Sequence, residues 1–258
     1  MSDRVARPPL QCGTIKVVNS GDFGLVVWDV DGTLIPADLR WLRRAIARTY
    51  AIAENAVNFP SKTVHGYTDE SIVIDTAVAS GISILEAEDG IARFENILVS
   101  IMNDGISELK RDQAPYPGAL ESILQVHERG YTQTVLTGNL RSAADIKLRS
   151  FNLDQHLDLR IGGFGSDDRD RFQLPTAIGR RYSRLYGREL DPSRVVVVGD
   201  APNDISCARH AGFHVVAVTH RTQADELKPY GPDAILESLD PVKLISTIDA
   251  LISRTSMT

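Results

Sequence analysis

Short apolar runs alternate with stretches of helical spacing along much of the chain. The run Leu25–Trp28 is apolar throughout, which is typical of a parallel strand buried on both faces. Four later segments also read as strands, at residues 133–136, 195–198, 215–218 and 234–236. Strands that alternate with helices form a parallel sheet with right-handed crossovers. The pattern therefore predicts an α/β fold built on a parallel sheet.

Residues 37–114 have a different pattern. This part of the sequence has no strand-like runs, and helical spacing recurs at residues 72–79 and 91–109. The segment 115–118, Pro-Tyr-Pro-Gly, then interrupts the chain before a short amphipathic helix at 119–129. We therefore predict an all-helical insert. Its first helix carries the spaced apolar residues Leu39, Leu42, Ile46 and Tyr50.

The predicted organisation is a core interrupted by this insert. Residues 23–36 and 115–258 form the core, and residues 37–114 form a helical cap. Residues 1–22 read as an N-terminal extension, in which residues 14–18 either add an edge strand or lie over the core.

Composition and charge narrow the function. The 258 residues include 28 basic and 34 acidic ones, and a net charge of −6 argues against a nucleic-acid binder, which would neutralise many phosphates. Cys12 and Cys207 are too few to form a disulfide framework, which favours a reducing compartment, and we expect Cys207 to be buried in a helix. No apolar run is long enough to span a bilayer. We expect a cytoplasmic protein with no nucleic-acid or membrane partner.

Polar side chains follow three of the predicted strands. Asp29 and Asp31 follow the first, the segment Thr137-Gly138-Asn139 follows the second, and Asp200 comes one residue after the run of valines. The carboxyl ends of parallel strands meet at one edge of a sheet, where α/β proteins bind their ligands. Two neighbouring carboxylates repel each other, so such a site favours a cation or a shared proton. The sequence therefore predicts an active site at this edge.

Three segments resemble motifs of the haloacid dehalogenase superfamily. Asp-Val-Asp-Gly-Thr-Leu at 29–34 is similar to its first motif, Thr137 after a strand to its second, and Gly-Asp-x-x-x-Asp at 199–204 to its fourth. The resemblance implies a Rossmann-like core, with a helical cap of the kind found in the phosphoglycolate phosphatase and β-phosphoglucomutase branch. It further implies a Mg²⁺-dependent phosphatase that acts on a small phosphorylated metabolite through an aspartyl-phosphate.

The resemblance also assigns roles. Asp29 is the nucleophile, and Asp31 is the acid that protonates the leaving oxygen and the base that activates water. Mg²⁺ prefers oxygen ligands, which the carboxylates of Asp29 and Asp200 and the main-chain carbonyl of Asp31 supply. Asp204, one helical turn after Asp200, holds a metal-bound water, orients the loop, or simply caps the following helix.

The phosphate-binding residues include one departure from the family pattern. Thr137 and Gly138 supply hydrogen-bond donors to phosphate. The third motif of the family is usually a lysine, whereas Arg171 stands at the corresponding place here. Lys147 is the only lysine between the second and fourth motifs. We predict that Arg171 is the phosphate-binding cation, with Lys147 in that role if Arg171 points away.

Other functions remain open at this point. A phosphomutase would use the same Asp31. A non-catalytic homologue is another alternative, and its only support is the arginine at position 171. A phospho-acceptor receiver domain is about half this length and has no helical insert, and dehalogenases that resemble this chain lack the second aspartate. His65 precedes a Gly-Tyr-Thr-Asp stretch similar to one in the caps of related phosphatases, so it either lies over the substrate or belongs to an ordinary loop. The chain is expected to be a monomer or a homodimer.

Overall fold

A computed structural model describes residues 24–60 and 66–255 of the chain. The predicted N-terminal extension and His65 lie outside the described residues. The centre of the described part is a six-stranded sheet in which all neighbouring strands are parallel. The predicted α/β fold with a Rossmann-like parallel sheet is therefore confirmed. In chain order the strands are β1 (Leu25–Trp28), β2 (Thr132–Thr137), β3 (Gly163–Phe164), β4 (Val195–Gly199), β5 (His214–Val218) and β6 (Ala234–Leu236).

Strand β1 lies in the middle of the sheet, whose order is β3-β2-β1-β4-β5-β6. Its four side chains are buried because both faces of the sheet are covered, with Trp28 in one apolar cluster and Val27 in the other. The register pairs Trp28 with Val135 of β2 and with Val198 of β4. The residues that follow these three strands therefore lie side by side at one edge.

In the described part of the chain, the first four helices after β1 build the cap. They share an apolar cluster centred on buried side chains such as Trp41, Ile46, Phe94 and Leu98. Leu140 from the core side also belongs to this cluster, so the cap packs against the core near the end of β2. The cap helices are α1 (Arg40–Thr49), α2 (Asp69–Ala79), α3 (Ile84–Asp104) and α4 (Ile106–Asp112).

The single helical stretch predicted at 91–109 is wrong in one respect. The structure divides it at Gly105 into α3 and α4. A Cβ atom at Gly105 would lie 2.5 Å from the Trp41 ring, so a side chain there would collide with α1. The absence of a side chain lets the two helices bend closely around Trp41.

The remaining helices cover the two faces of the sheet. Helices α5, α6 and α10 contribute to the cluster that contains Trp28, whereas α7, α8 and α9 contribute to the cluster that contains Val27. Cys207 of α8 is fully buried, as predicted. The bounds of these helices are α5 (Ala119–Glu128), α6 (Arg141–Ser150), α7 (Leu174–Tyr186), α8 (Pro202–His210), α9 (Ala224–Leu227) and α10 (Pro241–Thr255).

All five predicted strands are present, with ends shifted by one residue at most. Strand β3 was missed, because two residues of sequence Gly-Phe give no apolar run to detect. The boundaries assigned to the cap and the core stay a prediction. Within 24–60 and 66–255, no helix combines the length and the apolar character that a bilayer span requires.

Candidate active site

Asp29 lies directly after β1 at the edge where the ends of β1, β2 and β4 meet. Its amide donates a hydrogen bond to the Val198 carbonyl (2.9 Å), which fixes the backbone beside β4. The residue is 5% exposed, and its side chain accepts hydrogen bonds from Arg171 (3.0 Å) and from the Thr33 hydroxyl (3.3 Å). A carboxylate this deeply buried needs compensating partners.

The loop after β4 brings two more carboxylates to the same place. Asp204 accepts the amide hydrogens of Asp200 (3.0 Å) and Ala201 (2.9 Å) with one oxygen, so it orients this loop at the start of α8. Its other oxygen accepts a hydrogen bond from Arg171 at 2.6 Å. The sequence left open whether Asp204 orients the loop or caps the following helix, and its two hydrogen bonds with the amides do both.

Asp29, Asp200 and Asp204 form a buried group that could hold a metal ion. Each offers an oxygen, and these oxygens lie within 4.8 Å of one another. Burial raises the pKa of Asp29, and the charges of Asp204 and Asp200 raise it further against the opposing effect of Arg171. Burial and Asp204 likewise raise the pKa of Asp200 to about 7, against Arg221. The group is thus short of positive charge.

This shortage is the property that a divalent cation would correct, and an all-oxygen donor set suits Mg²⁺. One oxygen of Asp200, Oδ2, has no hydrogen-bond partner among the described residues and only an ion pair with Arg221 at 3.3 Å. Gly32 (φ +98°) lies directly against this group, because a Cβ atom there would collide with the Asp200 carboxylate. The residues present therefore fit a magnesium ion.

Asp31 lies outside this group, and its side chain is held from the β2 side. Oδ2 of Asp31 accepts hydrogen bonds from Lys147 Nζ (2.5 Å) and from Asn139 Nδ2 (2.9 Å), and Lys147 also donates to Asn139 (3.1 Å). The other oxygen, Oδ1, is buried without a hydrogen-bond partner in the described part of the chain. One oxygen is therefore fixed, and the other is left for a ligand.

Both candidate cations of the third motif reach the site. Arg171 is 6% exposed and binds Asp29 and Asp204, whereas Lys147 is 5% exposed and binds Asp31. Lys147 was predicted to be the phosphate-binding cation only if Arg171 pointed away from the site, and Arg171 points into it. Sequence spacing treated the two as alternatives, but the structure gives each its own carboxylate.

Thr137 and Gly138 end β2 beside the carboxylates, as the sequence predicted. The Thr137 hydroxyl is buried and accepts the Asn139 amide hydrogen at 3.2 Å. The cap contacts the core at Gly138, whose carbonyl accepts the Asp69 amide hydrogen at 2.7 Å. A Cβ atom at Gly138 would collide with the Tyr67 carbonyl. The cap therefore lies directly against the end of β2 at this point.

Two residues of the site were missed. Asp69 of the cap is buried, accepts the Leu140 amide hydrogen at 2.9 Å, and has a pKa that burial raises to about 6. Arg221 lies just after β5 and binds Asp200. The rule that ligand sites follow strand ends would have found Arg221, and Asp69 stood within the cap stretch already noted after His65.

A cavity of about 60 Å³ lies between these groups and the cap. All seven predicted site residues line it. The structure therefore brings together Asp29, Asp31, Thr137, Gly138, Arg171, Asp200 and Asp204.

Comparison with known proteins gives matches over most of the chain. The haloacid dehalogenase-like hydrolase family matches residues 26–209. A phosphoglycolate phosphatase of Mesorhizobium japonicum is 25% identical over 84% of this chain and 91% of its own length. The pyrophosphatase PpaX of Halalkalibacterium halodurans is 22% identical over 84% of this chain and 94% of its own.

Solved structures show the same fold. CbbY of Rhodobacter sphaeroides, solved in complex with phosphate, superposes with a TM-score of 0.63 at 18% identity. The match covers 88% of this chain and 99% of that one. At this identity the likeness supports the fold and no finer statement.

Proposed function

Because the chain belongs to the haloacid dehalogenase-like hydrolase family, we propose that it is a Mg²⁺-dependent phosphatase that removes phosphate from a small phosphorylated metabolite. The observation that carries the proposal is the meeting of Asp29 with Asp200 and Asp204 in a buried group, beside an Asp31 whose Oδ1 has no partner among the described residues. Relatives named as phosphatases support the same reaction class.

The proposed chemistry has two displacements at phosphorus. An Asp29 oxygen attacks phosphorus, the ester P–O bond breaks, and Asp31 gives its proton to the leaving alcohol oxygen. Asp31 then takes a proton from water, whose oxygen attacks the aspartyl-phosphate. The P–O bond to Asp29 breaks, inorganic phosphate leaves, and both carboxyl groups return to their starting states.

The two buried cations Arg171 and Lys147 have different roles in this scheme. Arg171 contacts the nucleophile, and in this scheme it binds phosphate oxygens together with the Thr137 hydroxyl and the Gly138 amide, which line the same cavity. Lys147 and Asn139 hold Oδ2 of Asp31, which directs Oδ1 for proton transfer. Lys147 also offsets the negative charge of Asp31 after the proton has left.

Mg²⁺ held by the carboxylates of Asp29 and Asp200 and by the main-chain carbonyl of Asp31 would reduce the repulsion between an anionic nucleophile and an anionic phosphate. Asp204 supports this site through its hydrogen bonds to the amides of Asp200 and Ala201. The cap shields the cavity from bulk water, which favours attack by the aspartate in the first step.

The test is phosphate release from a panel of small phosphomonoesters, with Mg²⁺ and with chelator, by the wild-type protein and by Asp29→Asn. We expect metal-dependent release that is lost in the variant. Thermal unfolding of the variant with and without Mg²⁺ serves as the control for folding. Release that persists in a folded Asp29→Asn protein would refute the nucleophile. Conversion of a sugar phosphate to its isomer without release would identify a phosphomutase instead.

A further inference from the structure

The cavity above the carboxylates is small. Its volume is about 60 Å³. A phosphate group alone has five heavy atoms. A phosphate group would therefore take up a large part of this volume, which favours a small substrate.

Asp38, Tyr67 and Asp69 are polar cap residues that line the cavity, but six other cap residues there are large and apolar. Trp41 is the one of these side chains that carries a polar atom, and its Nε1 already donates a hydrogen bond to Gln113 at 2.5 Å. That atom is not offered to a ligand. The apolar wall, by which we mean the large apolar cap residues lining the cavity, comprises Leu39, Trp41, Leu42, Ile72, Leu98 and Met102.

The charges that line the cavity are unbalanced toward the negative. Six carboxylates face three cations, Lys147, Arg171 and Arg221. Every one of these cations is already paired with a carboxylate of the site. A divalent metal ion and a phosphate dianion bring nearly equal and opposite charges, so their binding leaves this balance nearly unchanged. A second anionic group on the substrate would find no uncommitted cation among the described lining residues.

The described part of the cap adds to this imbalance. Its two charged lining residues, Asp38 and Asp69, are both acidic. Asp38 binds Arg40 at 2.6 Å, and Asp69 accepts the Leu140 amide hydrogen. A substrate carboxylate next to the apolar wall would lose its hydration and face these acidic groups without compensation.

We infer that the substrate is a phosphomonoester of a small, uncharged alcohol whose carbon part packs on the apolar wall, rather than one that carries a carboxylate or a second phosphate. This inference rests on the proposed phosphatase function and names its substrate class. It differs from the substrate in the name of the Mesorhizobium relative, phosphoglycolate, which carries a carboxylate.

The test compares two substrates of the same size and branching. Isobutyl phosphate and 2-phosphoglycolate have equal numbers of heavy atoms, but the first ends in two methyl groups and the second in a carboxylate. We expect kcat/KM for isobutyl phosphate to be at least about tenfold higher, as for a charged group left without partners. Equal values, or a preference for 2-phosphoglycolate, would overturn the inference.

Acetyl phosphate separates this outcome from failure of the proposed function. Its acetyl group is small and carries no charge in the substrate, and the weakly basic acetate leaves easily, so hydrolysis depends little on contacts with the cap. Hydrolysis of acetyl phosphate together with a preference for 2-phosphoglycolate would overturn the substrate class alone. No Mg²⁺-dependent hydrolysis of any of the three phosphorylated compounds would overturn both the inference and the function on which it rests.

A matched pair of variants tests the wall itself. Leu39 lines the cavity and is only partly buried, so its replacement is better tolerated than that of the deeper wall residues. Leu39→Lys should raise the ratio of kcat/KM for 2-phosphoglycolate over isobutyl phosphate by about tenfold or more, whereas Leu39→Met should leave it within about twofold. An unchanged ratio in a folded Leu39→Lys protein would contradict the role of the wall.

Discussion

Replacing Arg171 with methionine should destabilise the protein and make its stability depend more strongly on Mg²⁺. The guanidinium lies 3.0 Å from an Asp29 oxygen and 2.6 Å from an Asp204 oxygen, and its side chain is 6% exposed. With an effective dielectric constant of about 20, Coulomb's law gives roughly 6 kcal/mol of attraction for each contact, much of which the burial of the charges offsets. Removing one partner of a buried pair costs about 3–5 kcal/mol.

Mg²⁺ should recover part of this loss. Without Arg171, the carboxylates of Asp29, Asp200 and Asp204 lack the cation that two of them share, so they should bind a metal ion more tightly. We expect saturating Mg²⁺ to raise the free energy of unfolding of Arg171→Met by at least about 1 kcal/mol more than that of the wild type. Urea denaturation in Mg²⁺ and in chelator measures both values.

Lys147→Met is the matched control. Lys147 is as deeply buried as Arg171 but binds Asp31, whose carboxylate lies outside the group of three. Its loss should lower stability in chelator without increasing the response to Mg²⁺. The reasoning is refuted if Mg²⁺ stabilises Arg171→Met no more than the wild type, or if Lys147→Met gives the larger response.

Three further predictions concern single residues of the site. Asp31→Asn should lower kcat by about 10²–10⁴-fold while leaving stabilisation by Mg²⁺ unchanged, and a rate near that of the wild type would remove Asp31 as acid and base. Asp69 has a pKa raised by burial from 3.8 to about 6, so the folded protein binds its proton more tightly than the unfolded chain does. This residue should therefore make the free energy of unfolding fall by up to roughly 3 kcal/mol as the pH rises through the two pKa values, and its contribution should be constant well above the second one. Asp69→Asn should remove that part of the slope, and parallel pH profiles of the two proteins would contradict it. Gly138→Ala should place a methyl group against the Tyr67 carbonyl, and kinetics should show a reduced kcat/KM with little loss of core stability, whereas unchanged kinetics would show that the cap need not approach so closely.

The sheet could be predicted because its strands are buried on both faces. Such strands are commonly read as apolar runs, and the runs at β1, β4 and β5 stand out from their surroundings. Strand β3 has two residues and pairs only with Leu136 and Thr137, so its position depends on a neighbour rather than on its own sequence. The bend at Gly105 depends likewise on Trp41, which is distant in sequence.

The location of the site followed from the same rule, since polar residues after three parallel strands must meet at one edge. The family and the phosphatase class predicted from these motifs are confirmed by the family match and by the phosphatase relatives. Side-chain orientation was beyond such reasoning. The separate pairing of Arg171 with Asp29 and of Lys147 with Asp31 depends on where a loop and a helix place two long side chains.

The cap could be predicted as helical but not as a binding surface. Its apolar spacing indicates helices, and the same residues serve both its own packing and the wall of the cavity. Which of them reach the cavity depends on the approach of Tyr67 and Asp69 to Gly138. No periodicity in the sequence encodes that approach.

The most direct test of the central claim is to trap the phosphorylated enzyme. Wild-type protein would be mixed with acetyl phosphate and Mg²⁺, quenched in acid within the first turnover, reduced with borohydride, and mapped by peptide mass spectrometry. The account predicts modification of Asp29 alone, with none in Asp29→Asn. Turnover with Asp29 unmodified, or with the label on another residue, would contradict it.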